Sequence, residues 1–270
     1  MLDLFGARMH VGCSPQGVAL LRRNHWGRLV GAPVQHACGE GDAVSAVVHA
    51  LTELLTQESC RNAALNLTVC DSLARLFVVT PPSNASHARD LDAAIALRFQ
   101  QLYGDDATQW RWRAARRIDR PFLAVALPVA LHEGVLALAQ QRRVRLVGMV
   151  PHLVASWNRW HDQLGADDWF ALAYDDVLTM TVVARGTLRA VLRVPLTQDA
   201  MRDADWLDAC VARECLRLDL ARPRRVVLCG EAPQPWCAPA PERLACLALQ
   251  PTHQPALSRD ANLAYAGVPQ

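Results

Sequence analysis

The sequence predicts an α/β protein, of the α+β type, in which one structural unit is duplicated to give two lobes. Apolar residues make up 51% of the 270 residues and charged residues 20%, a composition that buries a substantial core. The order strand, strand, strand, helix occurs twice, in residues 8–58 and 168–219. A duplicated βββα unit is the simplest explanation. The alternative is a chance likeness of two meanders in an unrelated two-domain α+β protein.

The first unit is predicted from three short apolar segments and one amphipathic helix. Strands are expected at 8–13, 17–23 and 28–35. Turn-forming residues separate the strands, and the third is expected to open with Gly27-Arg28-Leu29. Asp42 provides an N-cap for the helix. Apolar residues at helical spacing give this helix one buried face: Val44, Val47, Val48, Leu51, Leu54 and Leu55.

The middle of the chain continues with short strands and three helices. Strands are expected at 63–70, 74–80, 110–118, 121–128 and 144–149. One helix is expected from Ser86 to Tyr103, with Leu91, Ile95, Phe99 and Leu102 on its buried face. A second begins after Pro128, and a third after Pro151, where the missing proline N–H costs the helix no hydrogen bond.

The second unit repeats the pattern of the first. Strands are expected at 168–175, 177–185, 187–195 and 224–230. The third strand again opens after a turn, here with Gly186-Thr187-Leu188, and a long helix capped by Asp199 follows it. The remainder, 231–270, is rich in proline, so we expect loops, a short strand near 244–249 and a last helical turn over Asn262–Gly267.

The composition excludes several kinds of chemistry. All 28 basic residues are Arg, so there is no Schiff-base lysine and no P-loop lysine. A net charge of +2 does not indicate a nucleic-acid-binding surface. The nine cysteines form no C-x-x-C pair, which indicates a reducing compartment, and we expect the cytoplasm. The longest apolar stretch, Phe122 to Leu131, is about half the length of a membrane span.

Two local patterns allow a functional and a plainer interpretation. Trp110-Arg111-Trp112-Arg113 alternates aromatic and cationic residues, as would an exposed strip for anionic lipid or an acidic peptide. The plainer interpretation is a half-buried strand with Trp inward and Arg solvated, and it is favoured. Cys13 near His10 suggests a nucleophile pair, but no orienting carboxylate is recognisable, so an inert buried cysteine is favoured.

Several short motifs resemble the PilM family of type IV pilus assembly proteins and its relative GspL of type II secretion. They are the opening Met1–Gly6, the strand-turn-strand segment Val11–Leu21, the hairpin end Arg193–Leu196, the late Leu228–Gly230 and the closing Asn262–Gly267. The resemblance covers nearly the whole chain. It implies the duplicated βββαβα architecture of actin-like and ribonuclease-H-like proteins. It also implies an N-terminal lobe over residues 1–165, with an inserted subdomain at about 60–130, and a C-terminal lobe over 166–270.

The family's nucleotide motifs are degenerate in this sequence. Proteins of the PilM type carry Asp-x-Gly in the first hairpin and again in the second half, because glycine amides approach phosphate and carboxylates hold magnesium. Here no Asp is followed two residues later by Gly. The residues left at the corresponding places are Gly12, Ser14, Asp175, Asp176 and Gly230. We therefore expect a degenerate nucleotide cleft with no catalytic residue, no metal and no bound cofactor, Mg-ATP being disfavoured.

The resemblance further implies an interaction protein. We expect a non-catalytic cytoplasmic scaffold, peripheral to the inner membrane, that binds the cytoplasmic tail of a PilN-like bitopic partner and that also contacts a motor ATPase. The tail would lie in a groove formed by residues of the 60–130 region. An active ATPase or small-molecule kinase of the same fold is the alternative. It would require Asp175 or Asp176 to hold magnesium, and Gly12 and Ser14 to contact phosphate.

Overall fold

The computed structural model describes residues 8–24, 26–57, 60, 62–249 and 257–268. The strands are β1 (Arg8–Cys13), β2 (Gly17–Arg23), β3 (Val34–Ala37), β4 (Ala64–Val69), β5 (Arg75–Val79), β6 (Trp110–Ala114), β7 (Phe122–Pro128), β8 (Arg145–Pro151), β9 (Asp168–Tyr174), β10 (Val177–Ala184), β11 (Thr187–Pro195), β12 (Arg225–Gly230) and β13 (Ala245–Ala248). The helices are α1 (Ala43–Gln57), α2 (Ala88–Tyr103), α3 (Val129–Arg142), α4 (His152–Trp160), α5 (Gln198–Arg202), α6 (Trp206–Leu218) and α7 (Arg259–Ala266). The motif at Met1–Gly6 lies outside the described residues.

Two five-stranded sheets share one topology, which confirms the predicted duplication. The first has the order β3-β2-β1-β4-β8 and the second β11-β10-β9-β12-β13. In both, the first strand pairs antiparallel with the second and parallel with the fourth, and the fourth pairs parallel with the fifth. A third, smaller sheet has the order β5-β7-β6 and arises between β4 and α3.

The third strand of the first unit begins later than predicted. The expected strand 28–35 is wrong: Leu29 makes only an isolated bridge to Arg23, and β3 starts at Val34. The side chain of Asn24 accepts hydrogen bonds from the amides of Trp26 and Arg28, which closes a turn there. Gly31, with φ of 73°, and the following proline then interrupt any pairing.

The long helix predicted to be capped by Asp199 is also wrong, because two helices occupy that segment. Thr197 caps the first, its Oγ1 lying 3.2 Å from the amide nitrogen of Ala200. The helix ends at Asp203, whose carboxylate accepts a hydrogen bond from the amide of Asp205 at 2.9 Å. Such local side-chain bonding competes with helical hydrogen bonds, so the chain restarts as α6 at Trp206.

Helix α4 lies between the two large sheets and joins their cores. Leu153 and Trp160 are buried, and the ring of Trp157 lies edge-on to Phe170 of β9 at 5.8 Å. Helix α2 covers the small sheet with Leu91, Ile95 and Phe99. Leu102, which was predicted to share this buried face, is exposed, because Tyr103, four residues after Phe99, takes the inward position and packs on Phe77 at 6.0 Å.

The C-terminal helix is longer than the single turn that the sequence predicted. It begins after Ser258, whose side-chain oxygen caps the amide of Ala261, and packs across β1 and β2 of the first sheet. None of the helices among the described residues has the length and apolar character needed to cross a bilayer.

Candidate functional site

The candidate site lies where three strand ends meet the start of α7. The turn after β1, the turn after β9 and the end of β12 converge on the first residues of this helix. Four of the five predicted site residues, Gly12, Ser14, Asp175 and Gly230, lie around this point. Asp176 lies in the same turn as Asp175, but its side chain is exposed and stays outside the network described below.

Gly12 is covered by the backbone of α7. A Cβ atom on Gly12 would lie 2.3 Å from the carbonyl oxygen of Asp260 and 2.6 Å from the amide nitrogen of Ala264. Both are backbone atoms, so no side-chain movement would relieve the overlap. The glycine therefore serves close helix–strand packing in this structure.

Ser14 and Tyr174 hold α7 through the carboxylate of Asp260. The hydroxyl of Ser14 donates a 2.7 Å hydrogen bond to Asp260 Oδ1, and Tyr174 donates to the same oxygen at 3.2 Å. Ser14 Oγ also accepts from the amides of Gln16 and Gly17, which closes the β1–β2 turn. Burial, together with the nearby Asp260 charge, raises the pKa of Tyr174, so it stays a donor. One carboxylate thus joins the first hairpin, β9 and α7.

Asp175 takes part in a second set of contacts between the lobes. Its carboxylate accepts from Gln16 Nε2 at 3.2 Å and from the guanidinium of Arg259 at 3.2 Å. Arg259 also pairs with Glu231, the residue after Gly230, at 3.2 Å. Asp175 has φ of 53°, as expected for the two-residue turn between β9 and β10. The two hairpins are therefore fastened to each other and to α7 by side chains.

Gly230 allows the end of β12 to approach β9 closely. Its φ is 84°, and a Cβ atom there would lie 2.2 Å from the carbonyl oxygen of Ala173. The next amide, that of Glu231, donates to the same carbonyl at 2.8 Å. This amide is consequently turned toward β9.

The residues at this site do not fit a magnesium-bound triphosphate as they stand. The three carboxylates nearest to Gly12, Ser14 and Gly230, those of Asp175, Glu231 and Asp260, are already bonded to protein donors. A small cavity of about 50 Å³ lies beside Asp175 and is lined by Asp71, Tyr174 and Arg193.

Two buried titratable groups lie next to this cleft. Asp71 accepts hydrogen bonds from the amide of Leu153 at 3.1 and 3.2 Å, and so caps the N-terminus of α4. Burial raises the pKa of Asp71 to about 7, although the Leu153 amide opposes the shift. Burial lowers the pKa of His152 to about 3, and its ring meets Tyr174 edge-on at 4.8 Å. Asp71 therefore has a structural partner, and His152 is neutral.

The contacts made by α7 were not found from the sequence. Arg259, Asp260, Tyr174 and Gln16 were not singled out, because they come from distant parts of the chain. The available signal was Ser258 followed by Arg259-Asp260, an N-cap with an acidic first turn that marks a helix start.

The other patterns from the sequence take their plainer interpretation. Trp110 and Trp112 pack on Phe99 with ring centroids at 5.8 and 6.2 Å, while Arg111 and Arg113 are exposed. Burial raises the pKa of the Cys13 thiol and lowers the pKa of His10 to about 4. Cys13 is therefore a buried thiol without nucleophilic character.

A groove of about 310 Å³ lies between α1 and the small sheet, at the start of α3. It is lined by Val44, Leu73, Arg75, Trp110, Pro128 and Ala130. The guanidinium of Arg75 lies 4.8 Å from the centroid of the Trp110 ring and bonds to Asp105 at 3.3 Å, which fixes one wall. We name this the first groove.

Comparison with solved structures finds the same architecture in proteins of very different sequence. No protein-family model and no curated protein matches this sequence. The cytoplasmic domain of EpsL, an inner-membrane component of the type II secretion system of Vibrio cholerae, is 12% identical with a TM-score of 0.61, over 97% of this chain and 93% of that one. PilM of a PilM–PilN type IV pilus biogenesis complex is 11% identical with a TM-score of 0.57, over 84% and 82%.

A third similar structure carries the fold without an assigned role. It is a Bacteroides thetaiotaomicron protein of unknown function with an actin-like ATPase fold, 10% identical with a TM-score of 0.56, over 98% of both chains. These similarities confirm the resemblance inferred from the sequence motifs. The chain has the two-lobed actin-like fold that is also found in PilM and in the cytoplasmic domain of EpsL.

Proposed function

We propose that this chain is a non-catalytic scaffold of a type IV pilus or type II secretion-like assembly machine. The proposal rests on one observation: side chains of this chain already occupy the cleft between the two lobes. Helix α7 covers Gly12, and Asp260, Arg259 and Asp175 tie the two hairpins together, at the positions where the resemblance to PilM implies contacts to phosphate. Since function depends on the site and not on the fold, we infer that this chain uses the actin-like fold to bind other proteins.

The partner in this proposal is the cytoplasmic tail of a PilN-like inner-membrane protein. The first groove is the place for the tail, because it is concave, mostly apolar and walled by a fixed Arg75–Trp110 pair. An extended apolar segment matches such a surface. Binding there would hold the protein on the inner face of the cytoplasmic membrane, where it would also contact a motor ATPase.

A thermal-shift experiment with Mg-ATP tests the absence of nucleotide binding. We expect no change of melting temperature at any nucleotide concentration that the protein tolerates. An active ATPase or kinase would be stabilised by about 2.7 kcal/mol at a ligand concentration 100 times its dissociation constant. A saturable shift that requires magnesium would contradict the pseudo-ATPase proposal and support the enzyme alternative.

Co-purification with the cytoplasmic tail of a PilN-like membrane protein from the same organism tests the scaffold. Ala130 is exposed at the start of α3 and lines the first groove, so Ala130→Trp should fill the groove and abolish capture of the tail. The control is Leu216→Trp, an equally large side chain at an exposed position of α6. Failure of the unmodified protein to capture the tail, or equal loss in both variants, would overturn the assignment.

A further inference from the structure

The outer edge of the small sheet is formed by β6. The sheet has the order β5-β7-β6, so β6 pairs with β7 on one side only. Among the described elements, no strand other than β7 lies alongside it. The first groove contacts only the first residue of this strand, Trp110. The edge from Trp112 onward is therefore not used by the proposed function.

The pairing of β6 with β7 shows which backbone groups of β6 point outward. The amide of Ala115 donates to the carbonyl of Leu123. Residues that exchange hydrogen bonds alternate along an antiparallel pair, so Arg113 and Arg111 also bond to β7. The backbone groups of the residues between them, Trp112 and Ala114, therefore point away from the sheet.

Neighbouring contacts agree with this direction. The carbonyl of Trp112 accepts a hydrogen bond from the Arg113 guanidinium at 3.4 Å, on the side away from β7. The amide of Trp110 likewise bonds outside the sheet, to the carbonyl of Ala107. Among the described residues, the backbone N–H of Trp112 and both backbone groups of Ala114 have no partner. Such an edge is a template for an extended chain.

The two faces of β6 differ in chemistry. Trp110 and Trp112 lie on the face covered by α2 and pack on an aromatic ring of that helix. Arg111 and Arg113 project from the opposite face, and both are exposed. Burial lowers the pKa of His132 on α3, and the charges of these two arginines lower it further, which places α3 on the arginine face. A strand added at this edge would extend one apolar face and one cationic face.

The exposed arginines indicate an acidic occupant. Arg111 and Arg113 form no ion pair with another residue in the described part of the chain. Asp92, on α2, is already bonded to Arg116 at 2.6 Å. Guanidinium groups suit bidentate contacts with carboxylates. A second copy of this chain is a poor fit, because pairing two β6 edges would place arginines next to arginines on one face.

We propose that the outer edge of β6 binds an extended, acidic segment of a partner protein, which joins the small sheet as a fourth, antiparallel strand. The antiparallel direction is that of the other strands in this sheet. The backbone of the segment pairs with Trp112 and Ala114. Its acidic residues, at every second position, lie beside Arg111 and Arg113, and the apolar residues between them extend the tryptophan face.

The test is a fluorescence anisotropy titration of the full chain with a labelled peptide of sequence Thr-Glu-Val-Glu-Val-Glu-Thr. We expect saturable binding that the double variant Arg111→Glu, Arg113→Glu weakens about tenfold or more, because two charge-assisted contacts become repulsive. The matched control Arg98→Glu, Arg189→Glu makes the same change of charge at exposed positions of α2 and β11, beside the opposite edge of the sheet, and should leave binding unchanged. Circular dichroism melts show whether each variant is folded.

Methylated peptides separate strand addition from simple charge attraction. In an antiparallel pair, directly opposite residues share a face, so the valines oppose Trp112 and Ala114, and their N–H groups face β6. Methylation of the valine nitrogens should therefore abolish binding, whereas methylation of the glutamate nitrogens should leave binding unchanged. Loss of binding with the glutamate-methylated peptide alone would contradict antiparallel strand addition.

A proline substitution tests the edge from the side of the protein. The N–H of Ala114 has no partner in the described part of the chain, so Ala114→Pro removes no hydrogen bond of the free protein. The proline ring blocks pairing there, and peptide binding should be lost. Absence of peptide binding by the unmodified chain, equal weakening by both charge variants, or retained binding of the valine-methylated peptide or by a folded Ala114→Pro variant would overturn the proposal. So would binding to phosphatidylglycerol vesicles in place of the peptide.

Discussion

The two large sheets have the same strand order, yet they differ in what connects the fourth strand to the fifth. In the first copy the connection from β4 to β8 contains the small sheet and helices α2 and α3. In the second copy the connection from β12 to β13 contains only a short 3₁₀ turn, Gln234–Cys237. The same topological position thus holds a large insertion in one lobe and no α-helix in the other.

In the second copy one side chain covers the place that a helix covers in the first. In the first copy α3 packs beside α1 on the sheet. In the second copy, the place beside α5 and α6 is taken by the buried Trp236. Its indole stacks on Trp206 with a centroid separation of 5.2 Å, and its Nε1–H donates to the carbonyl of Ala200 at 3.0 Å. The difference teaches that the architecture requires a covered apolar face more than a particular covering element.

Removing the Trp236 side chain should lower the free energy of unfolding more than any other substitution proposed below. Trp236→Ala deletes a buried indole and leaves a cavity, so we expect a loss of about 3–5 kcal/mol in the free energy of unfolding. Chemical denaturation monitored by circular dichroism measures the loss. Trp26→Ala is the control, because Trp26 is 76% exposed and its removal should change stability by no more than about 0.5 kcal/mol. Comparable losses in the two variants would show that Trp236 does not replace a helix.

Gly12 and Ala173 occupy matching places, each the second-last residue of the first strand of its copy. Of these two positions, helix α7 packs only on Gly12. Gly12→Ala should cost about 1–3 kcal/mol or more, because the new methyl group meets α7 backbone atoms. Differential scanning calorimetry would record the lowered melting temperature. Ala173→Gly introduces no overlap and should cost about 1 kcal/mol. A Gly12→Ala protein as stable as the parent would mean that α7 does not press on β1.

Hydrophobic spacing predicted most elements of both copies, since β- and α-periods are local properties of the sequence. The two clear errors, the strand 28–35 and the long helix after Asp199, occurred where one polar side chain redirects the backbone. Asn24 bonds two following amides, and Asp203 bonds the amide of Asp205. A turn of this kind depends on where one side chain points, and periodicity carries no information about that.

The site was only partly predictable. Gly12, Ser14, Asp175 and Gly230 were located by likeness to a known motif, and the fold brings them to one place. The network itself depends on Asp260 and Arg259, which lie more than two hundred residues from Ser14 in the sequence. Contacts between such distant residues follow from the crossing of α7 onto the first sheet, and a single sequence does not encode that crossing in any local pattern.

The fourth strand of each copy is followed closely by an acid, Asp71 in the first copy and Glu231 in the second, and their surroundings are opposite. Asp71 is buried and its pKa is raised from 3.8 to about 7, mainly by that burial. The folded state therefore holds a proton that the unfolded chain releases near pH 4. By linkage, this group makes the protein less stable as the pH rises from 4 to 7, by at most about 1.4 kcal/mol per pH unit.

The variant Asp71→Asn tests whether Asp71 causes this pH dependence of stability. Asparagine keeps an oxygen for the Leu153 amide but does not titrate, so the decline of stability between pH 4 and 7 should disappear from the variant. Urea denaturation across this pH range measures the difference in slope between parent and variant, and taking the difference cancels the titration of His10 and His152. A variant with the same slope as the parent would show that Asp71 is ionised throughout.

Substitution of Glu231 should change the free energy of unfolding least. The side chains of Glu231 and Arg259 are 39% and 42% exposed, so water and salt screen their ion pair. Glu231→Gln should lower the free energy of unfolding by less than about 1 kcal/mol, and 1 M salt should remove the difference. Urea denaturation at low and high salt measures both values. A larger loss that persists in salt would mean that Glu231 is shielded from solvent and that the two acids, Asp71 and Glu231, have similar surroundings.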